Sequence, residues 1–137
     1  MANVSDLRNK WELNKEGYKT QEIGSGVHSF ISDVFASPEL FCLSESSKGT
    51  GKSGSFTNDA EMTKYGRPDF MLFINSDIKI PVEAKCWMRI KEGEDQLVRY
   101  QTALDTKEYG ILTDGYEWRF YRGGKYTKFT LDSILSN

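Results

Sequence analysis

The order of sequence patterns predicts an α/β domain of the α+β kind, with a mixed central β-sheet flanked by helices. Two helical patterns come first, a pair of strand patterns follows, and one more helical pattern separates that pair from three further strands. A helix between strands favours a mixed sheet with helices packed against it. A chain of 137 residues is long enough for one domain with a substantial core. We therefore expect residues 1–137 to form a single domain.

The first two patterns are amphipathic helices. Residues 5–16 carry Leu7 and Trp11 on one face, and Ser5 is the expected cap. Residues 27–36 repeat apolar side chains at helical spacing and are followed by a proline. Both helices therefore have an apolar side that can cover a sheet.

The composition changes after the second helix. Residues 40–45 form a short strand pattern, and residues 44–64 are rich in Ser, Gly and Lys. Loops of that length in compact domains are usually functional or disordered, so we expect a flexible loop over 44–64. Its run GTGKSG does not complete a phosphate-binding loop, because position 46 is serine where that pattern needs glycine.

The clearest local signal is a pair of strand patterns at 68–74 and 78–85. Alternate residues of both runs are apolar, so one face of the pair is expected to face the core. If a three-residue loop closes the hairpin, Asp69 lies directly opposite Glu83 on the other face. A two-residue loop would send the two acids to opposite faces.

The remaining chain predicts one helix and three strands. Residues 92–105 have a helical stripe, with acidic residues in the first turn, where the helix dipole favours them. Strand patterns follow at 109–113, 117–122 and 125–131. The Asp-Gly and Gly-Gly pairs between these strands are strong hairpin signals.

Composition excludes several classes of protein. There are 18 basic and 20 acidic residues, so a uniformly basic nucleic-acid coat is excluded. The single histidine, His28, excludes sites with several histidine ligands, and two cysteines are too few for a disulfide scaffold. Without a long apolar run or an apolar N-terminal segment, we expect no membrane span, no signal peptide and a cytoplasmic protein.

The predicted hairpin brings together groups that bind metal. Opposed carboxylates on neighbouring strands have β-carbons about 5 Å apart and repel each other. A divalent cation offsets that repulsion, so we predict a Mg²⁺ site formed by Asp69, Glu83 and the Ala84 carbonyl, with Mn²⁺ able to substitute. Lys85 lies on the same face as Glu83, where it would stabilise phosphate charge or help to deprotonate a water. The set fits phosphodiester hydrolysis, and a solvated strand face is the alternative.

Several motifs carry a family resemblance. GRPDF at 66–70 and PVEAK at 81–85 resemble the two halves of the PD-(D/E)XK nuclease signature. The following helix has Gln96 and Tyr100 in a Gln-x-x-x-Tyr spacing, and residues 109–122 are similar to a strand–turn–strand segment of the same family. Together they are most similar to the N-terminal nuclease domain of type I restriction enzyme motor subunits.

The resemblance implies a restriction-endonuclease-like fold and a Mg²⁺-dependent DNA endonuclease. It implies that Asp69 and Glu83 are metal ligands and that Lys85 is the catalytic lysine. It also implies that Gln96 and Tyr100 support the site or contact the DNA backbone; a surface glutamine and a core tyrosine are the alternative. The implied partners are DNA and the motor, modification and specificity subunits of a restriction complex, with a homodimer as a further option.

One departure from the family pattern leaves alternatives open. Many members have a glutamate on the first helices that completes the metal site. Here Glu22, His28 and Asp33 lie in that region, and the sequence assigns none of them to the site. His28 is either structural or a metal or phosphate contact. A catalytically weak DNA-binding or interaction module on the same fold is therefore one alternative, and a junction-resolving or repair nuclease is another.

Basic residues near the predicted site indicate a local DNA-binding surface despite the net charge of -2. The candidates are Lys48, Lys52, Arg67, Arg89, Lys91 and Arg99. Arg67 is the strongest candidate because it is close to Asp69 in the chain, and solvated surface charge is the alternative for each. We find no motif that reads bases, so we expect no sequence specificity from this domain alone.

Overall fold

The computed structural model describes residues 2–46, 51–104 and 109–136. The helices are α1 (Val4–Asn14), α2 (Val27–Ala36), α3 (Glu94–Ala103) and α4 (Leu131–Leu135), with 3₁₀ turns at Gly17–Lys19 and Ile90–Gly93. The longest of these helices has 11 residues, and none in the described ranges is long and apolar enough to cross a membrane.

Within the same ranges the strands form one mixed sheet of seven, which confirms the predicted fold class. They are β1 (Ser44–Glu45), β2 (Ser55–Thr57), β3 (Phe70–Phe73), β4 (Lys79–Ala84), β5 (Tyr109–Thr113), β6 (Glu117–Arg122) and β7 (Lys125–Thr130). Their order in the sheet follows the chain. The pairs β1–β2 and β4–β5 are parallel, and the other pairs are antiparallel. The start of β3 and the ends of β4 and β5 therefore meet at one end of the sheet.

The β3–β4 hairpin has the predicted register. Phe70 pairs with Val82, and continuing the pairing by one residue places Asp69 opposite Glu83. The predicted inner face is buried at Phe70 and Val82. It is not buried at Ile74, which is 40% exposed because it lies at the tip of the hairpin.

Helices cover both faces of the sheet. On one face α1 and α2 pack onto an aromatic core, where the Phe35 ring lies 5.6 Å from Phe70 and 5.9 Å from Trp118 in edge-to-face contacts. On the other face α3 places Leu97 against Leu112 in a second cluster. The crossover of α3 between the parallel strands β4 and β5 produces this arrangement.

The prediction of a loop over 44–64 is wrong where the chain forms β1 and β2. Ser55–Thr57 is buried and pairs with β3, so this short strand satisfies main-chain groups that would otherwise lie at the sheet edge. The strand predicted at 40–45 is reduced to Ser44–Glu45. The predicted DNA contact Lys48 lies outside the described residues.

Two helix termini also differ from the prediction. The cap of α1 is Asn3, whose side chain accepts from the Asp6 N–H at 2.9 Å while the Asp6 carboxylate accepts from the Asn3 N–H. Ser5 lies inside the helix instead. The sequence patterns did not predict α4, which starts at a Thr130 cap directly after β7.

The turn between β5 and β6 depends on Gly115. Its φ is +91°, and a β-carbon there would lie 2.9 Å from Cγ2 of Val27 and 3.0 Å from Cζ3 of Trp11. Gly115→Ala is therefore expected to lower the free energy of unfolding by about 2–4 kcal/mol, measured by urea denaturation. Gly124→Ala is the control, because its β-carbon would meet open space. Equal losses in both variants would contradict this account.

Candidate active site

Three of the predicted site residues meet at the end of the sheet where β3 begins and β4 ends. The Ala84 N–H donates to Oδ2 of Asp69 at 2.8 Å, which holds the aspartate against the neighbouring strand. The Lys85 Nζ lies 3.4 Å from Oε2 of Glu83. The hairpin register thus places two carboxylates and one ammonium around a common space.

The first turn of α2 and the turn before it add two more groups to this cluster. The His28 Nε2 lies 3.9 Å from Oδ1 of Asp69. One potential ligand atom from each of Glu22, His28 and Asp69 lies within 4.8 Å of the other two. Asp33, the other acid in this region, forms an ion pair with Lys10 at 2.6 Å instead.

The sequence did not assign Glu22 to the site, because its position depends on a tight turn before α2. There the His28 N–H donates to the Glu22 carbonyl at 2.8 Å. A β-carbon on Gly26 would lie 2.3 Å from the Gln21 carbonyl oxygen, so this turn requires glycine. A glycine directly before the helical pattern was the only sequence signal of that geometry.

Burial and a neighbouring charge raise the pKa of Glu83 above that of an ordinary glutamate. Desolvation raises the pKa of Glu83 to about 8, with contributions from the charge of Asp69 and a hydrogen bond with that side chain, while Lys85 opposes the shift. In the metal-free protein Glu83 therefore holds its proton to a higher pH than an ordinary glutamate does. A cation bound between the two acids would displace that proton.

Lys85 keeps its charge in the same surroundings. Partial burial lowers the pKa of its ammonium group, but the negative charges of Glu83, Glu22 and Asp69 outweigh that effect and leave the pKa above its ordinary value. Lys85 is therefore a fixed positive charge at neutral pH.

The residues present fit a divalent cation. The His28 Nε2 is buried and has no hydrogen-bond partner among the residues that the structure describes. A buried polar atom without a partner is costly, and a metal ion would remove that cost. Carboxylates with one imidazole suit Mn²⁺, and the carboxylates alone suit Mg²⁺. The Ala84 carbonyl stays a predicted ligand.

Gln96 and Tyr100 donate hydrogen bonds to the main chain just before β3. The Gln96 Nε2 donates to the Tyr65 carbonyl at 2.8 Å, and the Tyr100 hydroxyl donates to the Arg67 carbonyl at 2.8 Å. Both side chains thus fasten the segment that leads into Asp69. Tyr100 is also buried, so its position agrees both with the core-tyrosine alternative and with a role in supporting the site.

The 3₁₀ turn before α3 reaches the site through a glycine. A β-carbon on Gly93 would lie 2.7 Å from Cδ1 of Leu112, 3.0 Å from Cγ of Glu83 and 3.2 Å from Cγ of Lys85. Because Gly93 has no side chain, the backbone of this turn can lie against the aliphatic part of the Glu83 side chain. This close approach contributes to the burial that raises the pKa of the acid.

The predicted DNA contacts are exposed, and two of them have acidic partners. Arg67 Nη1 lies 3.3 Å from Oδ1 of Asp59, and Arg89 Nε lies 2.7 Å from Oε2 of Glu92. The other described candidates are Lys52, Lys91 and Arg99, all exposed. Exposed ion pairs of this kind are weak, so phosphate can displace the acid.

The raised pKa of Glu83 predicts a pH-dependent stability of the metal-free protein. The pKa is about 8 in the folded state against an ordinary value of 4.5, so the folded state binds this proton more tightly than the unfolded chain does. The resulting stabilisation is complete below pH 4.5 and is lost as the pH rises towards 8. Glu83→Gln should remove this loss, with a difference from wild type that grows by at most about 1.4 kcal/mol per pH unit.

Urea denaturation with a chelator at several pH values checks this expectation. Glu61→Gln, which changes an exposed acid, is the control and should keep the wild-type profile. Parallel pH profiles of wild type and Glu83→Gln would show that Glu83 is not the buried proton-binding group.

Comparison with known proteins shows the family to which the chain belongs. A family model described as "Type I restriction enzyme R protein N terminus" matches residues 55–129, which is more than half of the 137 residues. The matched segment runs from β2 into β7 and includes both halves of the predicted nuclease signature; Glu22 and His28 lie before it. No curated protein and no solved structure matches the chain. The family match confirms the resemblance seen in the sequence, and the chain belongs to the family of type I restriction enzyme R protein N-terminal domains.

Proposed function

We propose that this protein is a metal-dependent DNA endonuclease that hydrolyses phosphodiester bonds, with Mg²⁺ as its cation and Mn²⁺ as a substitute. The observation that carries the proposal is the convergence of Asp69, Glu83 and Lys85 with Glu22 and His28 at one end of the sheet. Membership of a restriction enzyme family supports DNA as the substrate.

The acids and the imidazole would hold the cation. Asp69 and Glu83 face the same space from adjacent strands, with the Ala84 carbonyl as the predicted third oxygen. Glu22 and His28 approach Asp69 from α2 and the turn before it. Bound there, the cation would polarise the scissile phosphate and lower the pKa of a water molecule.

Lys85 would act as a cation and not as a general base. Its ammonium group lies 3.4 Å from Glu83, and the neighbouring acids raise its pKa, which supports a cationic role. A fixed positive charge near the reacting phosphate stabilises the negative charge that builds up in the transition state. Of the two roles that the sequence left open for Lys85, this one is therefore favoured.

Gln96 and Tyr100 would position the site. Their hydrogen bonds to the carbonyls of Tyr65 and Arg67 hold the chain that enters β3. The Tyr100 bond fixes the Arg67 backbone two residues before Asp69. The Arg67 side chain is exposed, and a DNA phosphate would replace Asp59 as its partner. Contacts with phosphates position DNA without reading its sequence.

The alternative of a catalytically weak DNA-binding or interaction module rested on the lack of an assigned acidic residue on the first helices. Glu22 provides a carboxylate within 4.8 Å of the His28 and Asp69 ligand atoms, and this observation favours the nuclease. The family supports DNA and the subunits of a restriction complex as partners. The homodimer, the junction-resolving activity and the cytoplasmic location stay predictions.

Lys85→Ala is expected to reduce plasmid cleavage with Mg²⁺ or Mn²⁺ by at least about 100-fold, because it removes the charge that stabilises the transition state. A nicking assay measures the rate, and a gel-shift assay should show that DNA binding is retained. Lys79→Ala, on an exposed lysine at the other end of β4, is the matched control and should cleave normally. Wild-type cleavage by Lys85→Ala would reject the proposed site.

Removal of single ligands should weaken metal binding. We expect Asp69→Asn and His28→Ala each to lower Mn²⁺ affinity by about 10-fold or more, measured by isothermal titration calorimetry. Asp59→Asn removes an exposed carboxylate that pairs with Arg67 and should leave Mn²⁺ affinity unchanged. Unaltered affinity in His28→Ala would exclude the imidazole as a ligand.

A further inference from the structure

A buried arginine lies on the sheet face that carries Glu83. Arg119 belongs to β6 and is 5% exposed. The strand pairing aligns Glu83 of β4 with Leu112 of β5, and Leu112 with Arg119. Residues in register on neighbouring strands point to the same face of a sheet. These three side chains therefore form one row on the face that α3 covers.

The guanidinium group of Arg119 is held by two acids and an aromatic ring. Its Nε lies 2.6 Å from Oε2 of Glu117, and its Nη1 lies 2.7 Å from Oε2 of Glu94. Its Cζ lies 4.7 Å from the centre of the Tyr126 ring. Glu117 precedes the arginine on the same strand, whereas Glu94 is the first residue of α3. The Glu94 ion pair therefore joins the sheet to the N-terminus of the helix.

The chain directly before Glu94 packs onto the candidate active site at Gly93. A β-carbon on this glycine would lie 2.7 Å from Cδ1 of Leu112, 3.0 Å from Cγ of Glu83 and 3.2 Å from Cγ of Lys85. Contacts this close leave little room for either side to move. The position of the turn therefore limits the orientations open to the Glu83 and Lys85 side chains, and the ion pair that fixes the turn is one residue away.

Two simpler roles for this ion pair compete with a role in the site. The helix dipole favours any acid in the first turn of α3, and Asp95 lies there beside Glu94. The pair could also serve stability alone. A buried ion pair is weak evidence for that role, because apolar side chains of similar size often replace one without loss. Neither simpler role requires the contact of Gly93 with Glu83.

We propose that Arg119 is a positioning residue of the candidate active site. Its ion pair with Glu94 holds the turn at Gly93 against Glu83, so that the Glu83 carboxylate stays beside Asp69. The proposal rests on the proposed nuclease function, because that function makes the position of Glu83 matter for metal binding. Residues that orient a metal ligand typically change metal affinity by about 10–100-fold when they are replaced.

Two variants break the ion pair from opposite sides. Arg119→Met removes the guanidinium group and keeps an unbranched side chain, and Glu94→Gln removes only the charge of the half-exposed partner. We expect each variant to lower Mn²⁺ affinity by about 10-fold and to raise the Mn²⁺ concentration for half-maximal plasmid cleavage by the same factor. Asp95→Asn, which removes an exposed charge from the same turn, is the matched control and should behave as wild type.

The double variant separates positioning from general stability. If Arg119 acts through Glu94, adding Arg119→Met to Glu94→Gln causes no further loss, and the double variant also binds Mn²⁺ about 10-fold more weakly than wild type. Additive losses, about 100-fold in the double variant, would show that the two residues act independently and would overturn the proposal. Isothermal titration calorimetry measures the affinities at a temperature at which circular dichroism shows every variant to be folded.

The remaining outcomes distinguish this proposal from the proposed function. Wild-type Mn²⁺ affinity in either single variant shows that the positioning role is wrong, while the nuclease proposal stands. An equal loss in Asp95→Asn assigns the effect to the helix dipole and also overturns the positioning role alone. A wild-type protein that neither binds Mn²⁺ nor cleaves DNA overturns the proposed function, and the positioning role with it.

Discussion

The pairing of β3 with β4 decides where Asp69 and Glu83 lie in the candidate site. In the observed register Asp69 and Glu83 share one face, and the Ala84 N–H holds the Asp69 carboxylate at 2.8 Å. A slip of one residue would exchange the two faces of a strand, because side chains alternate along it. The same slip would bury polar groups in the aromatic core between the sheet and α2. The core and the site therefore select the same register.

The site lowers the folding stability of the metal-free protein. Two carboxyl groups lie close together, one of them buried under the 3₁₀ turn at Gly93, and the imidazole of His28 has a buried nitrogen without a partner in the described structure. Functional sites often keep groups in arrangements that stability alone would not favour. The surrounding elements compensate, since β3, β4 and β5 are central strands of the sheet and are covered on both faces.

The sequence predicted the parts of the fold that depend on local patterns. The strand alternation and the three-residue loop predicted the β3–β4 register, and the apolar spacing predicted α2 with its observed bounds. It did not predict β2, because that three-residue strand owes its order to pairing with β3. It did not assign Glu22 or His28 to the acids either. Their position depends on how α2 packs across the sheet, which no local pattern contains.

The hydrogen bonds of α3 mean that a fragment of the chain cannot keep the candidate site without this helix. Gln96 and Tyr100 hold the carbonyls of residues 65 and 67 from a helix that follows about thirty positions later. A fragment that stops before α3 would retain the hairpin but lose both tethers on the segment entering β3. A truncated unit that keeps the site must therefore include α3 up to Tyr100, and it must also keep α1 and β5–β7, because Trp11, Leu112 and Trp118 belong to the clusters that cover the two faces of the sheet.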